Sequence, residues 1–353
     1  MDTLQTRYAS YGEIESQPEG WATVIQLLLG QGGAIREVFA GAEEVIFTGC
    51  GSGLNASLAA APAFQAITRI PARPVAALEL YKFPEYVLSA GRKTLVVLSS
   101  RSGQTTEVVD AMHYLHAQGI VTVGITCTQD SLLARESSLP LVLSGVTEQA
   151  VVTTRSLTGM ILAAELMGAL VGRDDSCLAA LQKLPTVGKA NMQACHDLGQ
   201  QIGQREDLTR YAFVGNSHLF GIAHESQLKV KEMALLPSDS YPMLDFRHGP
   251  QSNVGSHMLV TAFLSDQAQD EEAQFLKDMR ALGGVTWAIC DRASRAVAEN
   301  AEYVLEVDSG LGEIARSILY LPAVQFMAYY RAIASGLNPD APHNLAYWID
   351  TSH

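Results

Sequence analysis

The chain has 353 residues, 48% hydrophobic and 17% charged with 29 glycines, which suits a globular α/β protein of two domains rather than a disordered or fibrous one. A formal net charge of -13, with no Lys/Arg-rich stripe to offset it, excludes nucleic acid as the expected partner but leaves room for a small anionic metabolite in a local pocket. No basic start with an apolar core opens the chain and no stretch reaches the roughly 18 apolar residues of a membrane span, while Cys50, Cys127, Cys177, Cys195 and Cys290 form no CxxC pair or zinc-type spacing, so a cytoplasmic protein without membrane contact or metal is expected.

Residues 1–36 read as an N-terminal helical segment, with Pro18 placed near a helix start before an apolar stretch. Four β-branched runs follow, each ending in Gly, Ser or Asp: VIFTGCGSG from Val45, TLVVLSSRSG from Thr94, VTVGITC from Val121 and PLVLSG from Pro140. A second series comprises YAFVGNS from Tyr211, MLVTAFLSD from Met258, VTWAICD from Val285 and YVLEVD from Tyr303. The two series are offset by 166, 164, 164 and 163 residues, a regularity that implies a duplicated domain. With Ala/Leu-rich stretches between the runs, the pattern predicts two α/β lobes, each a parallel sheet flanked by helices in three layers. Their bounds are read as 37–190 and 191–335. A long helix is predicted from Arg155, a helical connector over about 175–207, and an extended arm over 336–353 that carries two prolines and docks through its Tyr and Trp.

The strongest local motif follows the run at Thr94, where the apolar strand gives way to Ser99, Ser100, Ser102, Gly103, Thr105 and Thr106 and then to a helix. Hydroxyls, a glycine turn and the positive end of a helix are what a phosphate needs. Helix capping is the plainer reading, but it uses one hydroxyl, not five. Arg101 either adds a direct charge or points to solvent. A second glycine-rich loop, GCGSGLNAS from Gly49, permits tight turns near a ligand, but it lacks the dinucleotide spacing and NAD is not expected.

In HESQLKVKEMALL from His224, helical spacing puts Glu225, Lys229 and Glu232 on one face, either as a surface ion-pair ladder or as a site. Sixteen residues beyond Glu232, DFRHGPQS sets His248 before Gly249 and Pro250, a stiff loop that either fixes an imidazole for a substrate or bonds it to its own backbone.

The S-x-S-G-x-T loop together with K-V-K-E and R-H-G-P resembles the sugar-isomerase (SIS) family. Over nearly its full length the chain is similar to the isomerase half of glucosamine-6-phosphate synthase, to AgaS-type amino-sugar isomerases/deaminases and to fructoselysine-type deglycases. The resemblance implies that Ser100, Arg101, Ser102 and Thr105 hold the 6-phosphate of a sugar. It places Val151, Thr153 and Thr154 of EQAVVTTRSL at the pocket; a family hydroxyl falls on Gly53, so either Ser52 substitutes for it or one contact is lost. It makes Glu232 the base that moves a proton between C1 and C2, His248 the group that opens the sugar ring, and Glu225 and Lys229 their helpers. It further implies a homodimer in which this histidine reaches the other subunit's active site.

Two departures refine the expectation. Tyr347 in PHNLAYW stands where the synthase carries a lysine, and a phenol forms no Schiff base. No cysteine-nucleophile glutaminase domain precedes Val45, so ammonia from glutamine is not the expected co-substrate. The reading is an isomerising deaminase or deglycase of an amino-sugar phosphate or a phosphorylated sugar–amine adduct, without cofactor. A simple aldose–ketose isomerase and a non-catalytic sugar-phosphate sensor stand as alternatives.

Overall fold

The β-branched runs of the first series are strands of one parallel sheet in the computed structural model of the protein, which describes residues 8–347. The strands are β1 (Glu44–Gly49), β2 (Ala72–Ala76), β3 (Thr94–Ser99), β4 (Val121–Thr126) and β5 (Leu139–Val142), in the order β2-β1-β3-β4-β5. All six residues of β1 are buried, as expected of a strand covered on both faces. On one face Ile46, Val96 and Leu98 pack against Val108, Met112 and Leu115 of the helix Thr106–Ala117. On the other, Phe47 meets Phe64 of the helix Ser52–Thr68 edge to face, with ring centres 5.5 Å apart.

The helix Arg155–Gly172 has the length and apolarity of a membrane span, yet 83% of that stretch is buried inside the protein. Its neighbour Gln17–Gly30, which carries Pro18 in its first turn, is held to it by a polar pin. Trp21 Nε1 donates to Thr158 Oγ1 at 2.9 Å, and Thr158 donates to Gln17 Oε1 at 2.8 Å.

The second series builds an equivalent sheet from β6 (Arg210–Val214), β7 (Ser238–Tyr241), β8 (Met258–Phe263), β9 (Val285–Cys290) and β10 (Tyr303–Glu306), in the order β10-β9-β8-β6-β7. Read from its other edge, this is the order of the first sheet, so the duplication seen in the sequence is a duplication of topology. It extends to single dihedrals. Gly51, before the helix that follows β1, has φ 54° and ψ -125°; Ser217, 166 residues later, has φ 53° and ψ -126°. Ser217 holds there a conformation that costs a residue with a Cβ roughly 1–3 kcal/mol.

The chain falls into two compact units, one of 16–185 with 345–347, the other of 8–15 with 186–344. The segment 1–36 that the sequence presents as one helical stretch is therefore divided at Ser16. The helix Ala9–Glu15 joins the second unit because its unbonded first N–H groups find a carboxylate there: Ala9 and Ser10 donate to Asp340 at 2.6 and 2.9 Å. Tyr11 also packs on Phe326 and Tyr329, with ring centres 5.6 and 5.7 Å away. In each sheet the strand order reverses once, between β1 and β3 and between β6 and β8. The carboxyl ends of strands at such a reversal are where open parallel sheets take ligands.

Candidate active site

In the first unit that position belongs to the loops after β1 and β3. The β3 loop folds on its own hydroxyls: Ser100 Oγ lies 2.9 Å from Thr105 Oγ1, and it accepts the Gly103 N–H at 3.1 Å. Ser102 Oγ accepts the Gln104 N–H at 3.2 Å. Gly103 stands at φ +62°, and a Cβ there would lie 2.2 Å from Ser131 Oγ, so only glycine fits the turn. Thr105 occupies the N-cap position of the helix Thr106–Ala117 without capping it through its side chain. The hydroxyls thus gather at a helix start whose cap they do not provide.

Thr153 donates to Ser52 Oγ at 2.6 Å, so two residues predicted for the pocket from different loops are brought together. A side chain at position 53 is barred by the fold: a Cβ on Gly53 would lie 2.6 Å from the Ser99 carbonyl oxygen. Ser52 is therefore the hydroxyl this loop can present.

Arg101 takes a different course from a free phosphate ligand. It is 8% exposed, and its Nη1 donates to Glu148 Oε2 at 3.3 Å and to the carbonyls of Ala150 and Val152 at 3.0 and 3.3 Å. Its Nη2 donates to the carbonyls of Val151 and Tyr347 at 2.8 and 2.9 Å. The Tyr347 ring centre lies 4.0 Å from the guanidinium carbon, and the Tyr347 hydroxyl donates to the Glu148 carbonyl at 3.2 Å. Glu148, a residue the sequence reading passes over, is the hub of this side. Its carboxylate accepts the Thr154 N–H at 2.6 Å, the Thr154 hydroxyl at 2.8 Å, the Ser156 N–H at 3.2 Å and the Ser156 hydroxyl. An acid followed by hydroxyl residues just before a long apolar helix is the sequence signal that would have revealed it.

In the second unit Glu225 and Lys229 lie on the helix His218–Lys229, but the α-helix ends there. Val230–Ala234 is a π-helical turn, and it carries Glu232. Such turns are rare and cluster at functional sites. The three side chains still meet: Lys229 Nζ is 3.1 Å from Glu225 Oε1 and 2.5 Å from Glu232 Oε2. The side chains of Glu225 and Lys229 are fully buried and Glu232 is 18% exposed, so this is no surface ladder. Burial pulls the Lys229 pKa down, but the Glu225 and Glu232 carboxylates more than offset it and hold the group above the usual lysine value, as an ammonium.

His248 follows the short helical turn Asp245–Arg247, with its N–H on the Asp245 carbonyl at 2.9 Å and Gly249 next to it at φ +130°. Its side chain is exposed, and among the described residues no hydrogen bond or ion pair links it to Glu232. The loop after β8, counterpart of the Ser100 loop, is unsuited to an anion because Asp266 Oδ1 there pairs with Arg316 Nη2 at 2.5 Å and Glu272 and Glu313 stand close by. Among the described residues no three His, Cys, Asp or Glu side chains gather as metal ligands.

Comparison with known proteins bears on the whole chain. The family model described as SIS domain matches twice, at residues 39–168 and 208–335. The glutamine–fructose-6-phosphate aminotransferase (isomerizing) of Neisseria meningitidis serogroup B is 28% identical over 358 residues, covering 95% of this chain and 57% of that protein. The chain thus spans little more than half the length of such curated relatives. Among solved structures, the tagatose-6-phosphate ketose/aldose isomerase of Escherichia coli superposes with a TM-score of 0.86 at 21% identity, covering 96% of each chain. The glucosamine-6-phosphate deaminase of Thermotoga maritima superposes with a TM-score of 0.74 at 24% identity, covering 93% of this chain and 99% of that one. The duplicated sheets, the repeat offset and the two matched segments have one explanation: the chain belongs to the SIS domain family and carries two SIS domains in tandem.

Proposed function

We propose that the chain is a cytoplasmic phosphosugar enzyme, an isomerising deaminase or deglycase that moves a proton between C1 and C2 of an amino-sugar phosphate or a phosphorylated sugar–amine adduct and releases the amine. The observation that carries this reading is the Glu225–Lys229–Glu232 group. A buried ammonium lies between two carboxylates, and the one partly exposed member, Glu232, is the carboxylate a substrate could reach, as a base must be. The hydroxyl loop Ser100–Thr105 at a helix start supports the phosphate half of the reading. The names borne by the aminotransferase, deaminase and isomerase relatives, each of which includes a sugar 6-phosphate, agree with it.

In this scheme the open-chain sugar is anchored through its phosphate by Ser100, Ser102 and Thr105, with Ser52 and Thr153 beside it. Glu232 takes the C2 proton of a 2-amino aldose and returns it to C1, turning the C2 amine into an imine. Water adds to that imine, the C2–N bond breaks, and ketose phosphate and amine leave. Lys229 and Glu225 hold Glu232 in place. His248 opens the ring in the active site of a second subunit of a homodimer; its exposure and free side chain in this chain support that role. Tyr347 supplies no amine, which favours a substrate that brings its own nitrogen.

The test is a panel of glucosamine 6-phosphate, fructose 6-phosphate, tagatose 6-phosphate and phosphorylated ketose adducts of amino acids. Amine release and solvent-deuterium incorporation at C1 and C2 are followed together. Amine release with deuterium incorporation is expected. Incorporation without release of amine from any adduct makes the chain a plain aldose–ketose isomerase, and thermal stabilisation by ligands with neither makes it a sensor.

A further inference from the structure

Resting on the reading that the Ser100–Thr105 loop binds phosphate, we infer that Arg101 is a positioning residue for that loop rather than one of its phosphate ligands, acting as a latch shared with Glu148 and Tyr347. An arginine inside a phosphate loop would ordinarily be taken for the charge that meets the anion. Here both terminal nitrogens are committed to one carboxylate and four carbonyls, on the segment 148–152 and on Tyr347. The residue is 8% exposed, and the Tyr347 ring covers its guanidinium at 4.0 Å. The Arg101 carbonyl is held as well, accepting the Cys127 N–H at 3.0 Å and the Thr126 and Thr128 hydroxyls at 3.2 and 3.3 Å. The residue is fixed at both ends, and the hydroxyls of its neighbours Ser100 and Ser102 are turned into the loop.

The latch joins three pieces of chain that are distant in sequence: the phosphate loop, the segment carrying Thr153, and the arm at Tyr347. Tyr347 closes the ring of contacts by donating to the Glu148 carbonyl. A lysine at position 347 would set an ammonium beside this guanidinium, so the tyrosine that replaces the family's lysine and the arginine in the loop form one compatible pair. A planar fork with several donors makes such a latch; a lysine ammonium, a single point charge on a flexible stem, cannot reach all five acceptors.

The experiment measures fructose 6-phosphate affinity by calorimetry for wild type, Arg101→Lys, Arg101→Gln, Tyr347→Ala and the double variant Arg101→Gln/Tyr347→Ala, with ligand-free melting curves alongside. The expected result is that Arg101→Lys weakens binding as much as Arg101→Gln, each by roughly tenfold or more, because charge without the fork does not rebuild the latch. Tyr347→Ala should weaken binding in the same direction, and the double variant should lose no more than Arg101→Gln alone, since both act through one latch. Affinity kept within about twofold by Arg101→Lys but lost by Arg101→Gln would make the residue a direct phosphate ligand and overturn the inference, as would fully additive losses. If the Arg101 variants do not fold, Tyr347→Ala decides: unchanged affinity overturns the latch. A wild type that binds no sugar phosphate in the panel overturns the phosphate reading and the latch with it, whereas strong wild-type binding retained by Arg101→Lys overturns the latch alone.

Discussion

Glu232→Gln is expected to lower turnover by about two to four orders of magnitude while leaving sugar-phosphate affinity and the melting temperature near wild type. Lys229→Met, three residues away, is expected to cost about 3–5 kcal/mol of stability, read by urea unfolding at neutral pH. The contrast follows from burial. Glu232 is the one partly exposed member of the group, and a glutamine there still accepts from Lys229 through its amide oxygen. Removing Lys229 instead leaves the fully buried Glu225 without the cation 3.1 Å away. The double variant Glu225→Gln/Lys229→Met removes both members of this pair and should recover much of the loss, because the penalty belongs to a buried carboxylate that has lost its cation rather than to a missing attraction. Equal stability of the single and double variants would refute that account. Full activity in Glu232→Gln would remove Glu232 from the mechanism.

The lobes were legible in the sequence because each central strand is a run of β-branched residues buried on both faces. The strands that escaped notice were β2, ARPVA, and β7, SDSY, which lie at the sheet edge next to β1 and β6 and need no apolar run. Pro74 in β2 sits opposite Phe47 in the register, a position tolerated at an edge. Spacing brings Glu225, Lys229 and Glu232 together, but it assumes an α-helix throughout. Side-chain periodicity does not distinguish the π-turn at Val230–Ala234, which adds residues to one turn while Glu232 still reaches Lys229. Glu148 was missed for another reason: a lone acid in a loop looks solvated until the fold buries it among Arg101, Thr154 and Ser156. Its pairing with Arg101, 47 residues away, has no local signature. The same holds for Arg101, whose charge was visible but whose direction was not.

Glu272→Gln is expected to stabilise the second unit above pH 8 by up to about 3 kcal/mol and to change its stability little below pH 4. Glu272 lies on the helix Gln269–Ala281, is 1% exposed, and occupies the position 164 residues beyond Val108, a core residue of the first unit. One carboxylate oxygen accepts the Ser265 N–H at 2.8 Å, and the other is buried without a hydrogen-bond partner. Burial pushes its pKa from 4.5 up to about 7 against the pull of the Ser265 hydrogen bonds, and the neighbouring Glu313 and Glu271 charges add to the rise. For an acid whose pKa is raised on folding, the folded chain holds its proton more tightly than the unfolded one. Stability is therefore complete below 4.5 and is lost as the pH climbs through about 7, beyond which the ionised carboxylate stays buried at its full cost. A glutamine cannot ionise, keeps an oxygen for the Ser265 N–H and escapes that loss. Urea unfolding of both proteins from pH 4 to 9 should give curves that meet in acid and separate between about 4.5 and 7, whereas parallel curves would mean that Glu272 ionises in the folded chain as readily as in the unfolded one.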